Sequence, residues 1–196
     1  MNFKELAEQN EQWIIDQRRF FHQCPELSFE EKNTTKEIGK RLEEMGVEPH
    51  YYDDYTGLWA MIEGGKAGAG TKTVALRADI AALPVEEHTG LSFCSKNAGV
   101  MHACGHDCHI AMLLGGIKML MEKKDELKGN VKIIFQAAEE SCYGARYYIE
   151  HGFLDGVDAI YGAHIWGDFD APYMNFESGP RMASADNFTI AVEGVS

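Results

Sequence analysis

Short apolar runs alternate along this chain with segments of helical periodicity, and this alternation limits the possible folds more than any other feature. Residues 74–76 and 130–136 are typical of strands that are buried on both faces. Residues 158–165 predict a further strand, whereas 108–121 and 144–151 have the apolar spacing of helices. Strands that alternate with helices usually pair in parallel through helical crossovers. The sequence therefore predicts an α/β sandwich around a largely parallel central sheet.

Two helices are predicted before the first strand. An apolar stripe that starts at Phe3 predicts the first helix, and Pro25 interrupts the chain after it. Ser28 and Glu31 have the spacing of a capping box, which predicts the start of a second helix that ends at Gly46. The remaining strand predictions are 47–52, 57–62, 72–80, 173–176 and 188–192.

Composition excludes several classes of protein. The chain carries 31 acidic and 18 basic residues, for a net charge of −13. Such a surface repels phosphate backbones and anionic lipids, so neither nucleic acid nor a membrane is predicted as a partner. The five cysteines are odd in number and irregularly spaced, which does not indicate a disulfide framework. Without a signal-peptide pattern or a run of about 20 apolar residues, the prediction is a soluble cytoplasmic protein.

The densest group of reactive side chains is the segment 102–109, with the sequence HACGHDCH. Thiolate and imidazole are ligands that zinc and related divalent ions prefer. The segment therefore predicts a metal site, with Cys104 and His106 as the foremost ligands. The alternative is an ordinary polar loop that leads into a helix capped by Asp107.

Glu139 and Glu140 follow the predicted strand 130–136, at the end where open α/β sheets place their chemistry. Adjacent carboxylates point in different directions, so one can bind a metal ion while the other accepts a proton from water. Pairs of glutamates are also common on solvated surfaces, and this alternative stays open.

Two other predicted strand ends carry charged or metal-binding side chains. Arg77 and Asp79 lie at the end of strand 72–80, where unpaired charges would be costly. His164 lies at the end of strand 158–165. These residues are therefore candidates for the site. The alternatives are that Arg77 and Asp79 form a structural ion pair and that His164 is a hydrogen-bonded core histidine.

Together these motifs resemble the N-terminal half of the metal-dependent N-acyl-amino-acid amidohydrolase family. This family includes aminoacylases, hippurate hydrolases and indole-acetyl-amino-acid hydrolases. The matching motifs occur in family order over nearly the whole chain: RFFH and PELS in 19–28, LRADI and LP in 76–84, MHACGHDCH in 101–109, FQAAEE in 135–140, and GAHIW in 162–166.

The resemblance implies a zinc-exopeptidase-like three-layer sandwich that binds two divalent ions, which could be Zn, Mn, Co or Ni. Four residues are implied as metal ligands: Cys104, His106, Glu140 and His164. Glu139 would be the general base, and Asp79 would orient a ligand histidine. The implied reaction is hydrolysis of the amide bond of small N-acyl amino acids through a metal-activated water.

The resemblance also implies a division of the chain. Residues 1–185 would form the N-terminal part of the metal-binding catalytic domain, and 186–196 the first strand of a truncated lid domain. Through the missing lid the full-length protein would form a homodimer. The chain would then be a fragment that lacks one further metal-binding histidine, and this fragment alone could be inactive.

Two other functions remain open from the sequence. The first is a non-catalytic module with one structural ion at residues 102–109, which would unfold on chelation and hydrolyse nothing. The second is a thiol-dependent enzyme that uses Cys104, which would need a lowered thiol pKa.

Overall fold

The computed structural model describes residues 2–141, 143–168, 170–184 and 188–194. The chain divides into two compact units, Met1–Ile165 and Trp166–Ser196, and every helix and strand found in the described residues lies in the first. The helices are α1 (Phe3–Gln23), α2 (Lys32–Glu44), α3 (His106–Glu122) and α4 (Gly144–Glu150). The strands are β1 (Pro49–Tyr51), β2 (Gly57–Ile62), β3 (Thr73–Asp79), β4 (Asn130–Gln136) and β5 (Ala159–Gly162). Short 3-10 turns follow α3 at Lys124–Glu126 and β4 at Glu139–Ser141.

The five strands form one sheet in the order β1-β2-β4-β3-β5. β3 pairs in parallel with both β4 and β5, whereas β2 is antiparallel to both β1 and β4. β1 therefore runs in the same direction as β4, and only β2 opposes the other strands. The prediction of a largely parallel central sheet is confirmed.

Helices cover both faces of the sheet, because side chains along each strand alternate between the two faces. On one face, Ala78 of β3 and Phe135 of β4 belong to the main core, together with apolar residues of α1, α2 and α3. On the other face, Ala75 and Ile134 pack with Tyr148 of α4. The predicted three-layer sandwich is confirmed.

α1 is a helix of 21 residues that buries one side, including Leu6 and Phe21. It begins with a capping box in which the Asn2 side chain accepts from the backbone of Glu5, and Glu5 accepts from the backbone of Asn2. Among the described residues, no helix has both the length and the apolar content needed to cross a bilayer.

The predicted and observed elements agree best where the apolar pattern is strong. β2 and β4 coincide with the predictions 57–62 and 130–136. β1, β3 and β5 are each shorter than predicted, by one to three residues at either end. α3 begins at His106 rather than at residue 108, and this places a metal-ligand candidate on the first turn of the helix.

The predicted capping box at Ser28 and Glu31 is wrong. α2 begins at Lys32, and the side chain of Glu31 makes no capping hydrogen bond. The carboxylate of Glu26 takes over part of that role, since it accepts a hydrogen bond of 2.7 Å from the backbone N–H of Thr34. Glu31 instead turns into the protein interior, where it finds two other donors.

The strands predicted at 173–176 and 188–192 are also wrong. Over both ranges the described chain has no strand, and the side chains of Tyr173, Phe176, Phe188 and Ile190 are exposed. Alternation of apolar and polar residues does not make a strand unless a neighbouring strand is available for pairing. The domain boundary predicted between residues 185 and 186 lies outside the described residues.

Candidate metal centre

The predicted site residues converge at the edge of the sheet where β3, β4 and β5 end. Asp79 is the last residue of β3, the pair Glu139–Glu140 follows β4, and His164 follows β5. Because these strands are parallel, their carboxyl ends meet at one edge although the residues are far apart in the sequence. The start of α3 brings His106 to the same edge.

Gly105 separates Cys104 from His106 and allows both side chains to enter the site. Its φ of +89° lies in the left-handed region, which residues with a Cβ rarely adopt. A Cβ at this position would lie 2.3 Å from Cδ1 of Ile165. The tight turn before α3 therefore requires a glycine both for its backbone angle and for the space beside Ile165.

His106 is at the centre of the site and is fully buried. Its Nδ1 donates a hydrogen bond of 2.7 Å to the carbonyl oxygen of Ala81, which leaves Nε2 as the nitrogen with the lone pair. That Nε2 lies 3.7 Å from a carboxylate oxygen of each of Asp79, Glu139 and Glu140. The imidazole is thus held with Nε2 facing three acidic groups.

Cys104 and His164 complete the group on the exposed side. The distance from Cys104 Sγ to His164 Nε2 is 3.3 Å, and the ligand atoms of Cys104, His106 and His164 all lie within 4.8 Å of one another. His164 Nδ1 donates to the carbonyl oxygen of Ile165, which turns Nε2 toward the thiol.

Asp79 is buried and has partners on both carboxylate oxygens. Arg77 Nη1 donates to Oδ2 at 2.7 Å, and His109 Nδ1 donates to Oδ1 at 2.5 Å. Burial alone would raise the pKa of Asp79, but the hydrogen bond from His109 and the charge of Arg77 outweigh it and hold the pKa well below its usual range. Asp79 therefore stays ionised, and the histidine it orients by hydrogen bonding is His109.

The donor set fits a divalent cation. His106 Nε2 and Glu140 Oε1 are buried atoms without a hydrogen-bond partner, and a lone pair left this way is costly unless a cation or proton meets it. Ligands on a tetrahedral zinc ion lie about 3.4–3.6 Å apart. The separations of 3.3 Å between Cys104 and His164 and 3.7 Å between His106 and Glu140 are close to this spacing. The three carboxylates of Asp79, Glu139 and Glu140 outnumber the single guanidinium of Arg77, so the electrostatic potential at the site is negative and favours cations.

The profile of peptidase family M20/M25/M40 matches residues 75–180, which is more than half of the chain and includes all the predicted site residues. The chain belongs to peptidase family M20/M25/M40. The family resemblance inferred from the motifs is confirmed.

Relatives in this family span about twice the length of this chain. Thermostable carboxypeptidase 1 of Saccharolobus solfataricus is 48% identical over 187 residues, which cover 94% of this chain and 47% of that protein. N-acetyl-L-cysteine deacetylase of Bacillus subtilis is 47% identical over 184 residues, which cover 94% and 44%. The crystal structure of the Bacillus subtilis YXEP protein, a dinuclear metal binding peptidase from the M20 family, aligns with a TM-score of 0.77 at 46% identity, over 82% of this chain and 45% of that chain.

The site of this M20/M25/M40 peptidase chain does not suit a thiol nucleophile. Burial and the nearby carboxylates of Glu140 and Glu139 raise the pKa of Cys104 to about 12. A nucleophilic cysteine needs the opposite shift, because the thiolate is the reactive form. Without a cation the thiol stays protonated at neutral pH, and the hypothesis of a thiol-dependent enzyme loses its main requirement.

A single structural ion within 102–109 is also poorly supported. In the described part of the chain, each group of three potential ligands includes at least one residue outside that segment. His102 is buried and belongs to none of these groups, and burial lowers its pKa to about 4. The ligand candidates come together from four separate segments, which is typical of a centre built by the whole fold.

Sequence reasoning did not single out His109. Both of its ring nitrogens are engaged, because Nδ1 donates to Asp79 and Nε2 accepts a hydrogen bond of 3.0 Å from the backbone N–H of Ile165. It thereby links the end of β3 to the residue next to His164. The spacing of three residues from His106 was the available signal, because such residues share one face of a helix.

His22 of α1 is the second residue that sequence reasoning missed. It is buried, and it donates from Nδ1 to Asp107 at 2.8 Å and from Nε2 to Glu87 at 3.2 Å. The hydrogen bond to Asp107 raises its pKa, burial opposes this shift, and Glu87 adds to the rise. Apart from the place of His22 in the RFFH motif, nothing in the sequence indicated that it is buried and hydrogen-bonded to Asp107 and Glu87.

Proposed function

We propose that this chain is part of a metal-dependent amidohydrolase that cleaves the amide bond of small N-acyl amino acids. The observation that carries the proposal is the convergence of Cys104, His106, Glu140 and His164, beside a second carboxylate, at the carboxyl edge of the sheet. A structural metal site needs ligands only, whereas hydrolysis also needs a group that can move a proton.

Cys104, His106, Glu140 and His164 would hold two divalent ions. His106 belongs both to the group with Cys104 and His164 and to the group with Glu139 and Glu140, which supports a pair of neighbouring positions. Bound divalent ions supply a Lewis acid for the scissile carbonyl and lower the pKa of water. Mixed sulfur, nitrogen and oxygen donors suit Zn, Mn, Co or Ni.

Glu139 is suited to the proton transfer. Its side chain is 40% exposed, compared with 23% for Glu140, and one of its oxygens lies 3.7 Å from His106 Nε2. A carboxylate at the solvent side of the site can take a proton from the attacking water, hold it, and deliver it to the leaving nitrogen. Glu140, whose Oε1 is buried, would remain a ligand.

The substrate class is proposed from the relatives. One relative is named as a deacetylase of N-acetyl-L-cysteine and another as a carboxypeptidase, and both names denote release of an amino acid from an amide bond. The chain spans about half the length of each of them.

The test uses the full-length protein loaded with zinc. Glu139→Gln should lower kcat for N-acyl amino acids by about 100-fold or more while the metal content per chain stays unchanged. The matched control is Glu150→Gln, an exposed glutamate of α4 that pairs with Arg146, and it should behave as the wild type. Turnover retained in Glu139→Gln would refute the assigned base. Wild-type protein that binds metal but hydrolyses no N-acyl amino acid would refute the amidohydrolase proposal.

A further inference from the structure

Glu31 is a fully buried carboxylate that lies outside the candidate metal centre. Its Oε2 accepts a hydrogen bond of 2.6 Å from the hydroxyl of Thr56, and its Oε1 accepts one of 2.8 Å from the backbone N–H of Ala138. Burial of an ionisable group is costly, and both of these donors are neutral. The burial of Glu31 therefore indicates a role that depends on its two hydrogen-bond acceptors, which an apolar side chain does not have.

The contact with Ala138 connects Glu31 to the turn that presents the two glutamates of the site. Ala138 lies directly before Glu139, and its φ of +52° is in the left-handed region although it is not a glycine. The chain leaves the β4 ladder at this point, so its backbone N–H groups need new partners. The Glu31 carboxylate supplies the partner for Ala138 N–H across a separation of 107 residues.

Neighbouring contacts make this turn a rigid support. The backbone N–H of Ala137 donates to the hydroxyl of Tyr148 at 3.1 Å. The carbonyl oxygen of Ala138 accepts from the Gly144 N–H at 3.2 Å and from the Ser141 hydroxyl at 2.7 Å. A Cβ on Gly144 would lie 2.0 Å from the Ala137 carbonyl oxygen, so the start of α4 closes tightly on the turn.

α2 itself is fixed to the sheet beside Glu31. The Thr35 hydroxyl donates to the carbonyl oxygen of Glu31 at 2.6 Å and accepts from the backbone N–H of Gly57 at 2.8 Å. Thr56, which donates to the Glu31 carboxylate, directly precedes β2. The Glu31 carboxylate therefore links the start of α2, which is fixed to the sheet, to the left-handed turn at Ala138 beside the site.

We propose that Glu31 is a positioning residue: its carboxylate holds Ala138 in the left-handed conformation that aims Glu139 and Glu140 at His106. The inference rests on the proposed function, because it assigns the two glutamates to a metal centre. Glu31 itself does not touch the centre. Its effect passes through one backbone hydrogen bond.

The test compares zinc affinity, measured by competition with a chelator, in the chain and three variants. Glu31→Ala should weaken zinc binding about 10- to 100-fold, the usual effect of losing a group that supports a ligand. Glu31→Gln should rescue the affinity to within about 3-fold of wild type, because its amide oxygen can still accept from Ala138 and its NH₂ can donate to Thr56. The control is Glu26→Ala, which removes three hydrogen bonds from Asn33 and Thr34 at the start of α2 but none at the turn.

Amide hydrogen exchange at Ala138 supplies a readout that needs no metal. Exchange should accelerate in Glu31→Ala and stay slow in Glu31→Gln and Glu26→Ala. Should Glu31→Ala fail to fold, Glu31→Leu replaces it, because leucine fills the apolar space but accepts no hydrogen bond from Ala138. We expect Glu31→Leu to weaken zinc binding about 10-fold.

The outcomes separate this inference from the proposed function. Wild-type zinc affinity in folded Glu31→Ala overturns the positioning role, and so does an equal loss in Glu26→Ala. Where Glu31→Leu carries the test, wild-type affinity in that variant overturns the role as well. A wild-type chain that takes up no zinc refutes the proposed metal centre, and the inference falls with it.

Discussion

Replacement of Gly105 by alanine tests whether the turn between Cys104 and His106 shapes the metal centre. The backbone there has a φ of +89°, and a residue with a Cβ in the left-handed region costs about 1–2 kcal/mol. The new Cβ would also lie 2.3 Å from Ile165 Cδ1. A second atom of the same side chain, Ile165 Cγ1, would lie at 2.7 Å, so relief of the clash requires an off-rotamer shift of Ile165 that costs about 0.5–1.5 kcal/mol. The sum is a destabilisation of about 1.5–3.5 kcal/mol.

The matched control for this substitution is Gly46→Ala. Gly46 has a φ of +75°, and a Cβ built on it meets no atom within 4 Å. Its alanine variant should therefore show the backbone cost of about 1–2 kcal/mol alone. The difference in unfolding free energy between the two variants isolates the cost of the contact with Ile165 and of any effect on the site.

Urea unfolding of the chelator-treated protein measures the free energy of unfolding, and zinc titration measures the site. We expect Gly105→Ala to lose more stability than Gly46→Ala and to bind zinc at least about 10-fold more weakly, since both neighbours of Gly105 are proposed ligands. Gly46→Ala should bind zinc as the wild type does. Equal stability losses, or an unchanged zinc affinity in Gly105→Ala, would refute the reasoning.

Two further predictions concern buried histidines. The pKa of His22 is raised above 6.5, so its stabilising charge is fully present below pH 6.5 and is lost as the pH rises through the native pKa. The excess unfolding free energy of the wild type over His22→Gln, measured by urea unfolding with chelator present, should therefore shrink toward alkaline pH; a constant difference would contradict this. His109→Ala should weaken zinc binding about 10-fold without changing the number of ions per chain, because both ring nitrogens of His109 are engaged by Asp79 and Ile165. Loss of one ion per chain in elemental analysis would show instead that His109 is a ligand.

Local patterns in the sequence were sufficient for most of the fold. Strands 57–62 and 130–136 and the helix after Gly105 follow from apolar spacing that any observer can count, because burial on one or both faces selects that spacing. The identities of the candidate site residues also came from the chain itself. Cys104 and His106 have ligand chemistry, and the glutamates stand at a strand end, where α/β sheets collect such groups.

Tertiary contacts decided what local patterns left ambiguous. Ser28 and Glu31 have the spacing of a capping box, yet Glu31 makes no capping hydrogen bond. Its carboxylate instead accepts a hydrogen bond from the backbone N–H of Ala138, because tertiary packing brings that distant donor next to it. The alternation at 188–192 is typical of a strand, yet no strand forms over those described residues.

The sequence by itself thus determined the layered α/β architecture, the family and the candidate ligands, since each depends on residue type and short-range spacing. Only the tertiary structure decided that Asp79 bonds His109, that main-chain carbonyls orient His106 and His164, and that Glu31 supports the turn before Glu139. The physical reason is that a hydrogen bond is directional and acts over about 3 Å. Its partner is therefore set by the packing of distant segments, which local periodicity does not encode.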